Sequence, residues 1–283
     1  MRYIALNNGV LMPVQGYGVF QITDSVQCEK CVGDALEAGY RLIDTAASYG
    51  NEDAVGAAIQ KSGVPRRDLF ITTKVWIQDA GYDATLKAFE LSLKNLGLDY
   101  LDLYLIHQPF GDYYGAWRAM ERLYEEKAVR AIGVSNFPPE QIVDLCMNHK
   151  IHPAINQIEI HPFFQQQEAL RVMWEYGIIP EAWGPLSEGQ KDIFSNKVLL
   201  KIAARHGKTT AQTILRWHLQ RGIVTIPKTV HKERMRENLN IWNFELSGQE
   251  MDVIASMDIG YSEIIDHHCF CNARQLNSLK IHE

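Results

Sequence analysis

The 283-residue sequence has only five cysteines, no excess of basic residues and no apolar run of the ~18 residues that a membrane-spanning helix requires. Cysteines this few and odd in number argue against a disulfide-stapled secreted scaffold. The net charge of −6, from 28 Lys and Arg against 34 Asp and Glu, argues against a dedicated nucleic-acid binder and against docking on anionic membranes. Residues Met1 to Gly9 contain no apolar stretch of signal-peptide length, so a soluble, cytoplasmic protein is expected. No Pro-, Gly- or Ser-rich linker divides the chain, which predicts one domain over residues 1–283. Apolar residues make up 46% of the chain, enough for an ordinary globular core.

What is present is an alternation of short β-rich runs with longer helical patterns. Asn8-Gly9 suits a type I′ turn, so Ile4–Val14 reads as a hairpin. Eight strands are then expected, at Pro13–Phe20, Tyr40–Asp44, Leu69–Lys74, Leu101–Ile106, Val129–Val134, Ala154–Ile158, Ile178–Trp183 and Ile223–Pro227. Helical patterns separate them, some stopped by glycine, as Ser25–Ala38 is at Gly39, and one opened by Pro138-Pro139. Parallel strands need such crossovers, which leaves a closed barrel or an open doubly wound sheet. Strand count and even spacing favour the barrel. The expected class is α/β: a (β/α)8 TIM barrel with an N-terminal β-hairpin and an irregular tail over Asp258–Glu283.

In such a barrel the chemistry sits at the C-terminal ends of the strands. Asp44, Lys74 and His107 end three successive apolar strands, and Tyr49 follows Asp44 in its loop. A lysine ammonium beside a tyrosine lowers the phenol's pKa from its usual value of about 10. An aspartate keeps that lysine charged, and a histidine orients a carbonyl oxygen. A tyrosine so placed is a general acid for an incipient alkoxide, which suits carbonyl reduction by a hydride-carrying cofactor.

Four stretches at strand ends carry a family likeness. They are Gly39-Tyr40-Arg41-Leu42-Ile43-Asp44-Thr45-Ala46 with Tyr49-Gly50-Asn51-Glu52, Leu105-Ile106-His107-Gln108-Pro109, Gly133-Val134-Ser135-Asn136-Phe137, and Ile226-Pro227-Lys228-Thr229 with Arg234, Glu237 and Asn238. Over nearly its whole length the sequence resembles the aldo-keto reductase family, in particular its bacterial diketogluconate- and methylglyoxal-reductase-like branch. The resemblance implies NADPH-dependent reduction of aldehydes and ketones, with Asp44, Tyr49, Lys74 and His107 as the catalytic tetrad. It places Ser135, Asn136 and Gln157 on the nicotinamide carboxamide, Trp183 against the ring, and Gly184, Pro185 and Leu186 along the pyrophosphate. Gly18, Val19 and Asp44 join the cofactor contacts. Lys228, Thr229 and Arg234 resemble the 2′-phosphate cluster and Asn238 the adenine contact, with Val230 and Glu237 also among the cofactor contacts. Phe20, Trp76 and Phe110, with Tyr49 and His107, resemble the substrate collar.

Other readings are weaker. Gly16-Tyr17-Gly18-Val19-Phe20-Gln21 fails the G-x-G-x-x-G pattern at its third glycine, which disfavours a Rossmann site. Cys28 and Cys31 read as helix packing, and His161 as structural. His267, His268, Cys269 and Cys271 are too tightly spaced for a four-ligand metal site and read as an unmatched loop, so no metal is expected. A non-catalytic NADPH-binding regulatory or structural protein on the same barrel is the alternative; the intact tetrad favours the enzyme. The expected partner is a small carbonyl substrate, and the expected assembly a monomer or weak homo-oligomer.

Overall fold

The computed structural model describes residues 2–283. Strands β1 (Tyr3–Ala5) and β2 (Leu11–Pro13) pair antiparallel as the hairpin. Only Gly9 in its turn has a left-handed φ, at +82°, and Gly9 N–H donates to the Leu6 carbonyl. The turn is therefore a three-residue loop with a glycine bulge in place of the expected type I′ turn, because Asn8 keeps an ordinary φ.

Eight parallel strands follow in sequence order: β3 (Gly16–Gly18), β4 (Leu42–Asp44), β5 (Phe70–Val75), β6 (Leu101–Ile106), β7 (Val129–Ser135), β8 (Ile155–Glu159), β9 (Ile179–Trp183) and β10 (Val224–Thr225). At least one helix lies between every two successive strands, as the (β/α)8 barrel requires. The expected first strand, Pro13–Phe20, divides at Val14-Gln15 between hairpin and barrel. The seam between β10 and β3 is sparse. A Gln15–Thr225 bridge and the bond from Gly18 N–H to the Pro227 carbonyl, at 3.4 Å, close it. A Cβ on Gly18 would lie 2.9 Å from the Ile226 carbonyl oxygen, so glycine permits the approach.

Side chains alternate along each strand. Leu42, Phe70, Leu103, Leu105, Ala131, Ile155 and Val224 fill the barrel interior, and Leu6 and Met12 of the hairpin region pack into the same cluster. The intervening Ile43, Ile71, Tyr104, Ile106, Ile132 and Ile158 meet the surrounding helices. The inward set continues toward the strand ends as Asp44, Lys74, His107, Gln157, Glu181 and Trp183, all in step with the apolar layer below.

The tail is a correction to the sequence reading. Phe270–Ser278 is a helix, and a disulfide joins Cys269 to Cys271 at its start. The helix buries no residue, so its sequence carries no apolar stripe by which to find it. It is tethered at its far end instead. Trp76 Nε1 donates to the Leu279 carbonyl at 2.9 Å, and the Gln78 side chain bonds the main chain at Ile281 and His282.

Candidate active site

Strand ends β4 and β5 bring the first charged pair together. Lys74 Nζ is fully buried and lies 2.6 Å from Asp44 Oδ1, 2.9 Å from the Thr45 carbonyl and 3.2 Å from Tyr49 Oη. Its three protons thus meet a carboxylate, a carbonyl and a phenol. Burial alone would lower the lysine, but the neighbouring Asp44 and Tyr49 oxygens outweigh it and hold Lys74 above its usual value.

Tyr49 ends a single 3₁₀ turn, Ala47–Tyr49, that Gly50 stops at φ +65°. Asn51 holds this loop in place. Its Nδ2 donates to the Val19 and Ile22 carbonyls, and its Oδ1 accepts from Thr45 Oγ1 at 2.8 Å. The loss of water around Tyr49 holds its phenol above the ordinary tyrosine value; Lys74 pulls it down, while Asp44 and Glu181 push it up. The sequence reading expected the lysine to set the direction, and in the protein desolvation sets it. At neutral pH the tyrosine is a protonated phenol.

His107 is buried just past β6, its ring edge-on to Tyr49 and to Trp76 at centroid distances of 5.6 and 5.2 Å. Its Nδ1 lies 3.2 Å from Ser48 Oγ. Burial holds it well below 6.5, and the charges of Lys74 and His267 act in the same direction, so the ring is neutral. Phe20 packs on Tyr49 at 4.9 Å. Phe110 is half-buried and makes no ring pair in this group among the described residues.

Across the barrel, Gln157 Nε2 donates to Asp44 Oδ2 at 2.8 Å and to Glu181 Oε2 at 2.9 Å. Ser135 Oγ donates to the Gln157 carbonyl, Asn136 Nδ2 donates to the His107 carbonyl, and Trp183 Nε1 donates to Asn136 Oδ1 at 2.8 Å. Gly184 follows with φ +57°, a conformation that suits glycine. Pro185 is buried, and Leu186 leads into a cleft of about 550 Å³ lined by Lys208, Thr209, Lys228, Thr229, Arg234, Glu237 and Asn238. Lys228 and Arg234 are exposed and form no ion pair among the described residues, whereas Glu237 accepts from Thr209 Oγ1. Val230 is half-buried against the hydrophobic core. Gly18 and Val19 stand across the seam; Val19 N–H donates to the Asp44 carbonyl.

Three residues here escaped the sequence reading, Ser48, Glu181 and Lys208, while His267, read there as part of an unmatched loop, lies close enough to act on His107. Glu181 alternates with Trp183 on β9, and that spacing was the signal available. His161 bonds Glu159 at 2.9 Å, and Glu159 accepts from Ser262 Oγ at 2.6 Å, so this pair anchors the tail. Cys28 and Cys31 are buried in the helix Ser25–Ala38. Among the described residues no group of three His, Cys, Asp or Glu is arranged to hold a metal, and no helix is long and apolar enough to cross a membrane.

At the mouth of this (β/α)8 barrel a lysine bridges an aspartate and a protonated tyrosine, beside a cleft lined by three cations. The chain belongs to the aldo/keto reductase family, whose model matches residues 16–259. It is 49% identical over 256 residues to a glyoxal reductase of Bacillus subtilis, covering 90% of this chain and 92% of that protein. To the 9,11-endoperoxide prostaglandin H2 reductase of Trypanosoma cruzi it is 48% identical, covering 90% and 91%. Among solved structures, a Bombyx mori aldo-keto reductase in complex with NADP superposes with a TM-score of 0.89 at 35% identity, over 94% of this chain and 95% of that one. The chain is an NADP-dependent oxidoreductase of aldehydes and ketones, and nothing supports the non-catalytic alternative.

Proposed function

We propose that Asp44, Tyr49, Lys74 and His107 form the catalytic group of this reductase, with a small aldehyde or ketone bound among Phe20, Trp76, Phe110 and His107. The observation that carries the reading is Lys74 Nζ, buried within 3.2 Å of both Asp44 Oδ1 and Tyr49 Oη. The residues present fit the cofactor. Lys228 and Arg234 are unpaired cations on a cleft that also contains Lys208, as a 2′-phosphate requires. Gly184, Pro185 and Leu186 connect that cleft to Trp183, Ser135, Asn136 and Gln157, which hold the nicotinamide; Thr229, Val230, Glu237 and Asn238 hold the adenosine end, with Gly18 and Val19 across the seam.

When bound, NADPH supplies a hydride to the carbonyl carbon. The chain's own residues do the rest. Neutral His107 donates one hydrogen bond to the carbonyl oxygen and fixes its direction. As charge develops on that oxygen, Tyr49 Oη transfers its proton to it, and Lys74 stabilises the phenolate left behind. Asp44 keeps Lys74 charged throughout. The neighbouring Phe20 and Trp76 rings keep the mouth apolar, which suits a small carbonyl compound and disfavours a bulky charged one. A cytoplasmic monomer or weak homo-oligomer completes the reading. Loss of NADPH absorbance against a panel of aldehydes and ketones tests it: turnover that is unchanged in Tyr49→Phe would overturn the assignment.

A further inference from the structure

Glu181 is a buried carboxyl group that the proposed chemistry does not use. It lies on β9 in direct register with Gln157 on β8, and its side chain is fully enclosed. An amide nitrogen carries two protons. Gln157 donates one to Asp44 Oδ2 and the other to Glu181 Oε2, so both are committed to the barrel interior. The amide oxygen, Oε1, takes no hydrogen bond from the described residues. Reversing the amide would set that oxygen against the Asp44 carboxylate, which has no proton to offer it.

We infer that Glu181 is a positioning residue that locks the Gln157 amide with only its oxygen free, so that Gln157 accepts a hydrogen bond from the N–H of the nicotinamide carboxamide. The inference rests on the proposed placement of Gln157 beside that carboxamide. Asp44 alone fixes one of the two amide protons; Glu181 fixes the other and removes the remaining freedom to twist. Burial supports this arrangement, because it pushes Glu181 up to about 8, with Asp44 adding to the rise. The rise favours the neutral acid; Oε2 is the oxygen that accepts from Gln157, and Oε1 is buried with no hydrogen-bond partner among the described residues. Charged neighbours are Asp44 and Lys74, whose pairing a neutral Glu181 leaves undisturbed.

Binding of NADP+ and of its 3-acetylpyridine analogue, which has a methyl ketone in place of the carboxamide and so no N–H to donate, tests the inference. Dissociation constants come from tryptophan fluorescence and need no turnover. The wild type should prefer NADP+. Glu181→Met should cut that preference about three- to tenfold, the range of one neutral hydrogen bond, chiefly by weakening NADP+. Glu181→Gln, whose amide oxygen can still accept from Gln157, should keep it, a rescue that a purely structural role would not produce. Should Glu181→Met fail to fold, Glu181→Ala, which leaves room for water, serves in its place. A folded Met or Ala variant that keeps the wild-type preference, or weakens both ligands equally, would overturn the role of Glu181. A wild type with no preference would instead overturn the placement of Gln157, so the two failures are distinguishable.

Discussion

Ser48 Oγ lies 3.2 Å from His107 Nδ1, one residue before the tyrosine proposed as the acid. A hydroxyl that donates to Nδ1 leaves the ring proton on Nε2, the form that can donate to a carbonyl oxygen. Removing it frees the other tautomer. Ser48→Ala is therefore expected to lower kcat/KM about three- to tenfold, the worth of one neutral hydrogen bond, while Ser48→Thr retains activity. Steady-state kinetics on one good aldehyde decides; an Ala variant equal to wild type would remove Ser48 from the site.

Tyr49→Phe keeps the ring against Phe20 and loses only the phenol proton. General acid catalysis is worth roughly 10²–10⁴-fold, and turnover should fall by that much with NADPH binding intact. Lys74→Met is a harsher test. It leaves Asp44 buried without its counter-ion, a loss of about 3–5 kcal/mol for broken buried pairs, so its melting point should drop along with its rate. Incubation with substrate and borohydride should leave Lys74 unmodified, since Asp44 keeps it protonated; an adduct in the mass spectrum would point to Schiff-base chemistry.

Arg234 and Lys228 face their cleft with no ion pair among the described residues. Charge-assisted bonds to a phosphate are worth about 1.5–3 kcal/mol each. Arg234→Ala should cost ~10–150-fold in NADPH affinity and little for NADH, read by fluorescence titration. Equal loss for both would place Arg234 elsewhere. Lys208→Ala should show a smaller loss with the same selectivity.

Stability should fall on both sides of a maximum near pH 6–7. Burial holds His107 well below 6.5, His218 down to about 3 and His267 down to about 4. Unfolded, all three take up protons near pH 6.5, so between about pH 4.5 and 6.5 the unfolded chain binds more protons there and acid destabilises the protein. Glu181 acts oppositely. Raised from ~4.3 in the unfolded chain to about 8, it stays protonated while the unfolded chain ionises, and its penalty grows as pH rises to 8. Three histidines against one glutamate leave a net acid slope of about 2–3 kcal/mol per pH unit at most. Urea melts from pH 4.5 to 8.5 should show both arms, and Glu181→Gln should flatten the alkaline one and steepen the acid one, where the glutamate opposes the histidines.

That Asp44, Tyr49, Lys74 and His107 meet was legible in the sequence because each ends an apolar strand or follows one within a few residues. Asp44, Lys74 and His107 share one face by the two-residue period alone, and the barrel then has only one mouth to which they can point. Glu181 obeys the same period on β9, yet its partner Gln157 meets Asp44 from 113 residues away, and no local pattern announces that meeting. Ser48 escaped for a different reason: its contact with His107 depends on one 3₁₀ turn inside a loop. The tail helix escaped because main-chain tethers at Leu279, Ile281 and His282 hold it, and these depend on no particular side chain in the tail.

The sparse seam between β3 and β10 has a kinetic consequence. Its bonds join residues about 210 positions apart, such as Gly18 to Pro227, so they are among the contacts of highest sequence separation in the barrel. Such contacts form slowly, because a long loop must be closed before any of them forms. During synthesis Asp44, Lys74, His107 and Gln157 can be made and paired while β10 and the Lys228 loop after it have yet to emerge. A dinucleotide bound as proposed, with Gly18 and Val19 on one side and Lys228 and Arg234 on the other, would act as a clasp on the last joint to form. At a hundred times its dissociation constant it would add about 2.7 kcal/mol to the closed state.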